Sequence, residues 1–272
     1  MGRPAPADLL STPASAAALR AIATQAAQAA GELLRERFLA GGERATGAKS
    51  TPTDLVSEAD LAAERAIRAV ISAQRPGDAI LGEEGGETQE GSGLRWIVDP
   101  LDGTVNFLFG VPQWCVSVAV YDDDGGLAGV VFDPLRDELF AAERGGPATL
   151  AGRPVTASER ADLETALVAT GFAYDASVRA AQAQVIASLL PLVRDVRRMG
   201  SAALDLAWTA VGRYDAFYER GVQIWDTAAG TFLCECAGLD VRALDADDDA
   251  ALPSGVVVAP PGLIDGLCAL VR

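Results

Sequence analysis

The spacing of hydrophobic and polar positions divides the chain into a helical beginning, a strand-rich middle and an alternating final part. Apolar side chains such as Leu19, Ile22 and Leu33 recur at the helical period over residues 15–39, which is typical of an amphipathic helix. A second helix is predicted to start at Ser57, because Ser57 and Asp60 have the spacing of a capping box. Short β-rich runs separated by Gly, Asp and Pro then follow from residue 79 to about 155.

After residue 155 strand-like and helix-like segments alternate to the end of the chain. The helices are predicted at 177–193, 201–211, 226–237 and 262–272. Alternation of this kind indicates an α/β unit with a mixed or parallel sheet. We therefore predict one catalytic domain in which 15–155 form an N-terminal α+β lobe and 156–272 form a C-terminal α/β lobe. Residues 1–14 are predicted to be a disordered tail.

Composition narrows the class of protein. The chain has 272 residues, half of them hydrophobic, and a net charge of −16, which argues against nucleic-acid binding because phosphate backbones are held by basic surfaces. No signal peptide or membrane-spanning run is recognisable, and the four cysteines form no CxxC pair. We therefore expect a cytoplasmic protein without a nucleic-acid or membrane partner.

The chain contains no histidine. This absence excludes Ser-His-Asp and Cys-His triads, and it excludes zinc held by imidazole. Catalysis would have to use carboxylates, hydroxyls, lysine, cysteine or a metal held by oxygen ligands. Such ligands favour Mg²⁺, Mn²⁺ or Ca²⁺.

The segment WIVDPLDGTVNF at 96–107 carries the strongest chemical signal. Asp99 follows a buried-strand pattern, and the strand is predicted to end at Pro100, which cannot donate to a sheet ladder. Asp102 lies three residues later, and two crowded carboxylates favour a bridging cation. A polar turn is the ordinary alternative. The DxDGT motif of haloacid dehalogenase phosphatases is excluded, because here two residues separate the aspartates.

Two further acidic positions are predicted to lie at strand ends. Glu83 and Glu84 occur in ILGEEGG, where a solvated turn is the ordinary explanation. In GVQIWDTAAG a strand is predicted to end at Trp225, and Asp226 then lies in the first turn of a helix, where a capping aspartate is common. α/β folds place their binding sites at the carboxyl ends of strands, which favours a shared site.

Together these motifs resemble the inositol monophosphatase family. GEEGG, WIVDPLDGTVNF and WDTAAG match its signatures in order and spacing, and KSTPTDLVSEAD at 49–60 and RRMGSAALDLAW at 197–208 also look like it. The resemblance covers residues 15–272. It implies a layered αβαβα sandwich, as in fructose-bisphosphatase, and a Mg²⁺-dependent, lithium-sensitive phosphatase.

The resemblance also implies a ligand set made only of oxygen atoms. Glu83, Asp99 and the Leu101 carbonyl would hold one Mg²⁺. Asp99, Asp102 and Asp226 would hold a second, and Glu83 would reach a weaker third ion. The resemblance places Lys49 near these metals.

The implied reaction is direct in-line attack by a water molecule on the phosphate. Thr104 would orient this water while hydrogen-bonded to Asp54, and Glu84 would assist. The residues expected to contact substrate are Asp102, Gly103, Thr104, Gly200, Ser201, Ala202, Glu219 and Asp226. Among them, Glu219 is the best candidate for selecting the alcohol, because a carboxylate accepts hydrogen bonds from vicinal hydroxyls.

Inositol 1-phosphate is the substrate that the resemblance favours. Gln223 occupies a position where some relatives have His, which weakens the assignment of myo-inositol phosphate. Histidinol phosphate is the main alternative, and fructose 1,6-bisphosphate and 3′-phosphoadenosine phosphate are used on the same scaffold. A regulatory protein that binds transcription machinery is the non-enzymatic alternative.

A homodimer is also expected. Family members commonly form dimers, and two-fold pairs are the commonest soluble assembly. Trp208, Phe217 and Tyr218 would add exposed apolar surface if two lobes cannot bury them.

Overall fold

The two predicted N-terminal helices are present. The computed structural model describes residues 15–41, 57–88 and 91–272, and the backbone of 47–48 and 55–56. Helix α1 (Ala16–Leu39) begins at Ser15, whose Oγ accepts the backbone N–H of Ala18. Helix α2 (Glu58–Gln74) begins with the predicted capping box. The Ser57 side chain accepts the backbone N–H of Asp60, and the Asp60 side chain accepts the backbone N–H of Ser57. Among the described helices, none combines the length and apolar character needed to cross a bilayer.

The strand-rich middle forms one large sheet. A separate pair of two-residue strands, β1 (Gly47–Ala48) and β2 (Leu55–Val56), precedes it. The large sheet contains β3 (Ala79–Gly82), β4 (Gly86–Thr88), β5 (Arg95–Asp102), β6 (Cys115–Asp122), β7 (Gly125–Asp133), β8 (Glu138–Glu143), β9 (Thr149–Leu150) and β10 (Arg153–Pro154). Its order is β10-β9-β8-β7-β6-β5-β3-β4, and only β3 and β5 pair in parallel.

Strand β5 does not end at Pro100 as predicted. Its pairing with β3 stops at Val98, but its pairing with β6 resumes at Asp102 after a register shift. Pro100 lies inside this irregularity, where no ladder hydrogen bond is required of it. The strand therefore contains both Asp99 and Asp102, and Asp102 lies two residues before the start of α3 (Thr104–Leu108).

The final part of the chain forms a five-stranded sheet with helices. Its strands are β11 (Leu167–Thr170), β12 (Asp195–Arg197), β13 (Ala216–Arg220), β14 (Asp240–Leu244) and β15 (Gly255–Ala259), in the order β12-β11-β13-β15-β14. Its helices are α4 (Ala176–Leu189), α5 (Ala202–Ala210), α6 (Ile224–Cys236) and α7 (Ile264–Val271). Helix α6 starts two residues before the predicted boundary, so Trp225 is helical and ends no strand.

The elements stack as five layers. Helices α1 and α2 pack on one face of the large sheet, and α5 and α6 pack on its other face. A buried cluster that includes Ile97 of the large sheet, Leu206 of α5 and Phe217 of the small sheet joins the three central layers. Helices α4 and α7 cover the far face of the small sheet. The predicted αβαβα sandwich is confirmed.

The aromatic residues expected to add exposed surface do not do so. Phe217 and Tyr218 are buried in the core, because β13 is the central strand of its sheet. Trp208 is partly buried, and the guanidinium groups of Arg136 and Arg213 lie 5.1 Å and 5.0 Å from its ring centroid. That argument for a dimer was wrong, and the homodimer itself stays a prediction.

Candidate active site

Most of the predicted site residues line one cavity of about 470 Å³ between the two sheets. Strand ends and helix starts supply them, as expected for an α/β arrangement. The predicted residues that line it are Glu83, Asp99, Leu101, Asp102, Gly103, Thr104, Gly200, Ala202, Glu219 and Asp226. A larger cavity of about 580 Å³ lies beside residues 243–249 and contains none of them. The chemistry therefore belongs to the smaller cavity.

Glu83, Asp99, Asp102 and Asp226 form what we call the carboxylate cluster. Burial raises the pKa of Asp99 well above its ordinary value, and the negative charges of the other three carboxylates raise it further. Burial and the charge of Asp102 also raise the pKa of Asp226 to about 8. Carboxyl groups crowded in this way resist ionisation unless a cation neutralises them.

Asp102 is held by the start of α5. Its Oδ2 accepts the hydroxyl of Ser201 at 2.7 Å and the backbone N–H of Ala203 at 2.7 Å, and its Oδ1 accepts the backbone N–H of Ala202 at 3.2 Å. Ser201, predicted to contact substrate, instead lies buried behind this carboxylate and is absent from the cavity wall. Its role in the described geometry is to orient Asp102.

Gly103 lets the chain turn from β5 into α3. Its φ is +97°, and a Cβ at this position would lie 2.9 Å from the backbone oxygen of Gln113. Both features exclude other residues. The turn carries the backbone of Gly103 and Thr104 along the cavity wall.

Thr104 is paired with Asp60, for which the sequence predicted only a role in capping a helix. Its hydroxyl donates to Oδ1 of Asp60 at 2.8 Å and also lies 3.0 Å from the Leu101 carbonyl. Asp60 is fully buried, and its Oδ2 accepts the backbone N–H and the hydroxyl of Ser57. Asp54, the partner that the resemblance implied, lies outside the described residues, as does Lys49. Among the described residues, Asp60 makes the hydrogen bond to Thr104 that the resemblance implied for Asp54.

The remaining predicted residues divide between the cavity and its support. Asp226 caps α6, since its Oδ2 accepts the backbone N–H of Gln223 at 2.6 Å, and it also faces the cavity. Glu84 is not part of the cavity wall. Glu219 is partly buried, and desolvation followed by the charges of Asp226 and Asp102 raises its pKa to about 8.

Several residues of the cavity rim were missed by the sequence analysis. Phe172, Tyr174 and Arg198 line it, and the guanidinium of Arg198 lies 5.9 Å from the centroid of the Phe172 ring. Nothing in their local sequence distinguishes them from ordinary loop residues. Asp60 was easier to predict from the sequence, because its spacing from Ser57 indicates a capping box, which orients the carboxylate.

The donor set fits Mg²⁺, since the cluster presents carboxylates together with the Leu101 backbone at one cavity. The repulsion that raises the pKa of Asp99 is the electrostatic demand that a divalent ion would satisfy. Within the described ranges, no three acidic or cysteine side chains already have the closed arrangement of a filled metal site. The carboxylates other than the anchored Asp102 would therefore have to turn towards an ion as it binds.

Comparisons with known proteins identify the family of the chain. The sequence model of the inositol monophosphatase family matches residues 16–272. The chain is 43% identical over 242 residues to an inositol-1-monophosphatase of Mycobacterium leprae, covering 86% of this chain and 83% of the relative. It is 42% identical over 218 residues to a protein of Xylella fastidiosa named Nus factor SuhB, covering 80% of this chain and 78% of the relative.

A solved structure shares the fold of this chain. The crystal structure of the extragenic suppressor protein suhB from Bartonella henselae superposes with a TM-score of 0.84 at 35% identity, covering 94% of this chain and 98% of that one. Both the sequence match and the fold extend across the large and the small sheet. The chain belongs to the inositol monophosphatase family, a family of metal-dependent phosphatases that act on small phosphate monoesters.

Proposed function

We propose that this protein is a Mg²⁺-dependent phosphomonoesterase that hydrolyses a small polyol phosphate, with inositol 1-phosphate as the preferred substrate. One observation carries the proposal. The carboxylate cluster and the Thr104–Asp60 pair line or adjoin a single cavity that also contains Glu219. A metal-binding group, a water-orienting hydroxyl and an alcohol-binding carboxylate are thus available together.

The cluster supplies the metal ligands in this proposal. Glu83, Asp99 and the Leu101 carbonyl would hold one Mg²⁺, and Asp99, Asp102 and Asp226 would hold a second, with Glu83 in reach of a third. When bound, these ions would neutralise charge on the phosphoryl group and make a nearby water more acidic. The anchoring of Asp102 by α5 supports its place as a fixed ligand.

Thr104 orients the attacking water. Because its hydroxyl proton is directed at Asp60, the lone pairs of the oxygen remain free to accept a hydrogen bond from water. Asp60 is itself held by two donors from Ser57, so the direction of the Thr104 hydroxyl is fixed before substrate arrives. Such preorganisation lowers the barrier to attack. The phosphate would be bound by the backbone N–H groups of Gly103 and Thr104.

The alcohol of the substrate would contact Glu219, Gly200 and Ala202, which also line the cavity. A partly buried carboxyl group such as that of Glu219 accepts hydrogen bonds from sugar-like hydroxyls and, in its protonated form, donates one. A cavity lined by several carboxyl groups suits a polyol, whose hydroxyls can donate to them. The cytoplasmic location and the homodimer remain predictions that accompany this proposal.

Histidinol phosphate is a second candidate substrate. Asp175 lines the cavity together with Glu219, and these two carboxyl groups would favour a leaving alcohol that carries an amine. A regulatory role is a further candidate, because relatives 42% identical to this chain are named Nus factor SuhB. All the predicted metal ligands are present here, which favours catalysis.

Parallel assays separate these candidates. Purified protein is given inositol 1-phosphate, histidinol phosphate, fructose 1,6-bisphosphate and 3′-phosphoadenosine phosphate with Mg²⁺, and released phosphate is measured. The proposal predicts the highest kcat/KM for inositol 1-phosphate. A higher kcat/KM for histidinol phosphate would select the second candidate, and no release from any monoester would refute the enzymatic proposal.

A further inference from the structure

Glu64 is a buried carboxylate that lies outside the cavity and makes three hydrogen bonds. It belongs to α2 and is 3% exposed. Its Oε2 accepts the backbone N–H of Glu84 at 2.8 Å, and its Oε1 accepts the backbone N–H of Gly85 at 2.9 Å. The guanidinium Nε of Arg68, one turn along the helix, donates to the same Oε1 at 2.6 Å. The carboxylate is therefore the anchor of the turn that follows β3.

The glycines of this turn are explained by Glu64. A Cβ added to Gly82 or to Gly85 would lie 2.5 Å from Oε1 of Glu64, closer than real contacts allow. Neither residue has the positive φ that would itself demand glycine. The backbone of GEEGG thus lies against the carboxylate, and the close approach at Gly82 adds to the hydrogen-bonded contact at Gly85.

Arg68 completes the attachment of the turn to α2. Its Nη2 donates to the Gly86 carbonyl at 2.6 Å, and its Nη1 lies 3.4 Å from the Ile80 carbonyl. The Glu64–Arg68 pair thereby contacts both ends of the segment 80–86. The positive guanidinium also offsets the charge that Glu64 would otherwise add near an acidic turn.

The turn held in this way carries a predicted metal ligand. Glu83 lies between the two glycines and lines the cavity, immediately before the residue whose N–H binds Glu64. Asp60, which holds Thr104, is one turn before Glu64 on the same face of α2. A single helix face therefore supports both the water-orienting hydroxyl and the loop of a metal ligand.

We propose that Glu64 is a positioning residue for the metal site, fixing the backbone of Glu83–Gly85 so that the Glu83 carboxylate is directed at the cation. The proposal rests on the proposed function, since it takes Glu83 as a metal ligand. Supporting groups of this kind, which hold a ligand without touching the metal, typically change metal affinity by about 10- to 100-fold when removed.

The test measures Mn²⁺ binding by electron paramagnetic resonance, with Mg²⁺-dependent phosphate release as a second readout. Glu64→Gln keeps the side-chain shape but places an amide donor against backbone donors. Glu58→Gln is the matched control, because it removes one negative charge from an exposed site on the same helix. We expect Glu64→Gln to weaken Mn²⁺ binding about 10-fold or more and to raise the Mg²⁺ concentration for half-maximal activity similarly. The KM of Glu64→Gln for substrate at saturating Mg²⁺ should stay close to that of the wild type. Glu58→Gln should match the wild type in Mn²⁺ binding and in Mg²⁺ dependence.

A second variant covers the case in which Glu64→Gln fails to fold. Gly85→Ala keeps Glu64 but drives a Cβ into its carboxylate, so it should weaken Mn²⁺ binding in the same way. Wild-type Mn²⁺ affinity in whichever of the two variants folds would overturn the positioning role, as would a wild-type protein that binds no Mn²⁺. A wild-type protein that binds Mn²⁺ but releases no phosphate would instead refute the proposed function, while the Mn²⁺ affinities still decide the role of Glu64.

Discussion

The Asp60–Thr104 hydrogen bond gives the sharpest mutational prediction. Asp60→Asn is nearly isosteric, but the amide cannot satisfy all the donors around it. Asp60 receives the Thr104 hydroxyl at 2.8 Å on one oxygen and two donors of Ser57, at 2.9 Å and 2.6 Å, on the other. Either orientation of the asparagine turns its NH₂ group towards a donor. If it faces Thr104, the hydroxyl must redirect its proton to the Leu101 carbonyl, 3.0 Å away, and no longer presents the same lone pair to water.

The size of the effect follows from the bond that is lost. A buried hydrogen bond to a charged group contributes about 1.5–3 kcal/mol. Each loss of about 1.4 kcal/mol in transition-state stabilisation lowers the rate about tenfold. Asp60→Asn should therefore lower kcat roughly 10- to 150-fold. The KM for substrate should change little, because Asp60 does not line the cavity.

Ser57→Ala is the control, because it weakens the helix cap while the backbone N–H of residue 57 still holds Asp60 and the hydrogen bond from Thr104 to Asp60 is kept. Losing a capping side chain costs about 1 kcal/mol of stability, so Ser57→Ala and Asp60→Asn should both unfold at lower urea concentration. Only Asp60→Asn should lose kcat. In the double variant Asp60→Asn/Thr104→Ala, the loss should be no larger than the greater single loss, since residues that act as a unit are not additive.

Two results would refute this reasoning. Wild-type kcat in Asp60→Asn would mean that the direction of the Thr104 hydroxyl is irrelevant to turnover. An equal fall of kcat in Ser57→Ala would mean that the effect comes from the stability of α2 and not from the hydrogen bond to Thr104.

Three further predictions concern selectivity, pH and assembly. Glu219→Gln should change the ratio of kcat/KM between polyol and amino-alcohol phosphates while leaving Mn²⁺ affinity unchanged; equal losses for every substrate would make Glu219 structural. In EDTA, thermal stability should fall as pH rises from about 4 to about 8. The reason is that the pKa of Asp226 is raised from 3.8 to about 8 in the folded protein. The folded protein therefore keeps this proton in a pH range where the unfolded chain has already released it. Added Mg²⁺ should raise the thermal stability more at the upper end of that pH window, where the carboxylate ligands ionise. An equal gain in thermal stability at both ends would contradict this prediction. Light scattering should give twice the 28.1 kDa chain mass, and a monomer at micromolar concentrations would refute the dimer.

The elements that were predictable are those whose signal is local. Helix α2 has its capping residues and its apolar period in one short segment, and the strands of the large sheet alternate with turn residues. Strand β14 was missed because it is a partly exposed edge strand that pairs only with β15, so its pattern lacks a buried face. The boundary at Pro100 was wrong because the irregular register in β5 depends on its neighbour β6.

The support of the site was less predictable than its ligands. Asp60 and Thr104 are 44 residues apart, and Ser201 and Asp102 are 99 apart, so both pairs exist only in the folded protein. A capping box explains Asp60 locally, and that explanation is correct but incomplete. Glu64 likewise has a local partner in Arg68, which hides its contact with the turn 20 residues away.

The most direct test of the account is Mg²⁺-dependent phosphate release from inositol 1-phosphate by the wild-type protein, Asp99→Asn and Asp123→Asn. Asp99 lies at the centre of the carboxylate cluster, whereas Asp123 is exposed in the turn between β6 and β7. Turnover should require Mg²⁺, be lost in Asp99→Asn and be retained in Asp123→Asn. Turnover that persists after removal of metal by EDTA, or in Asp99→Asn, would contradict it.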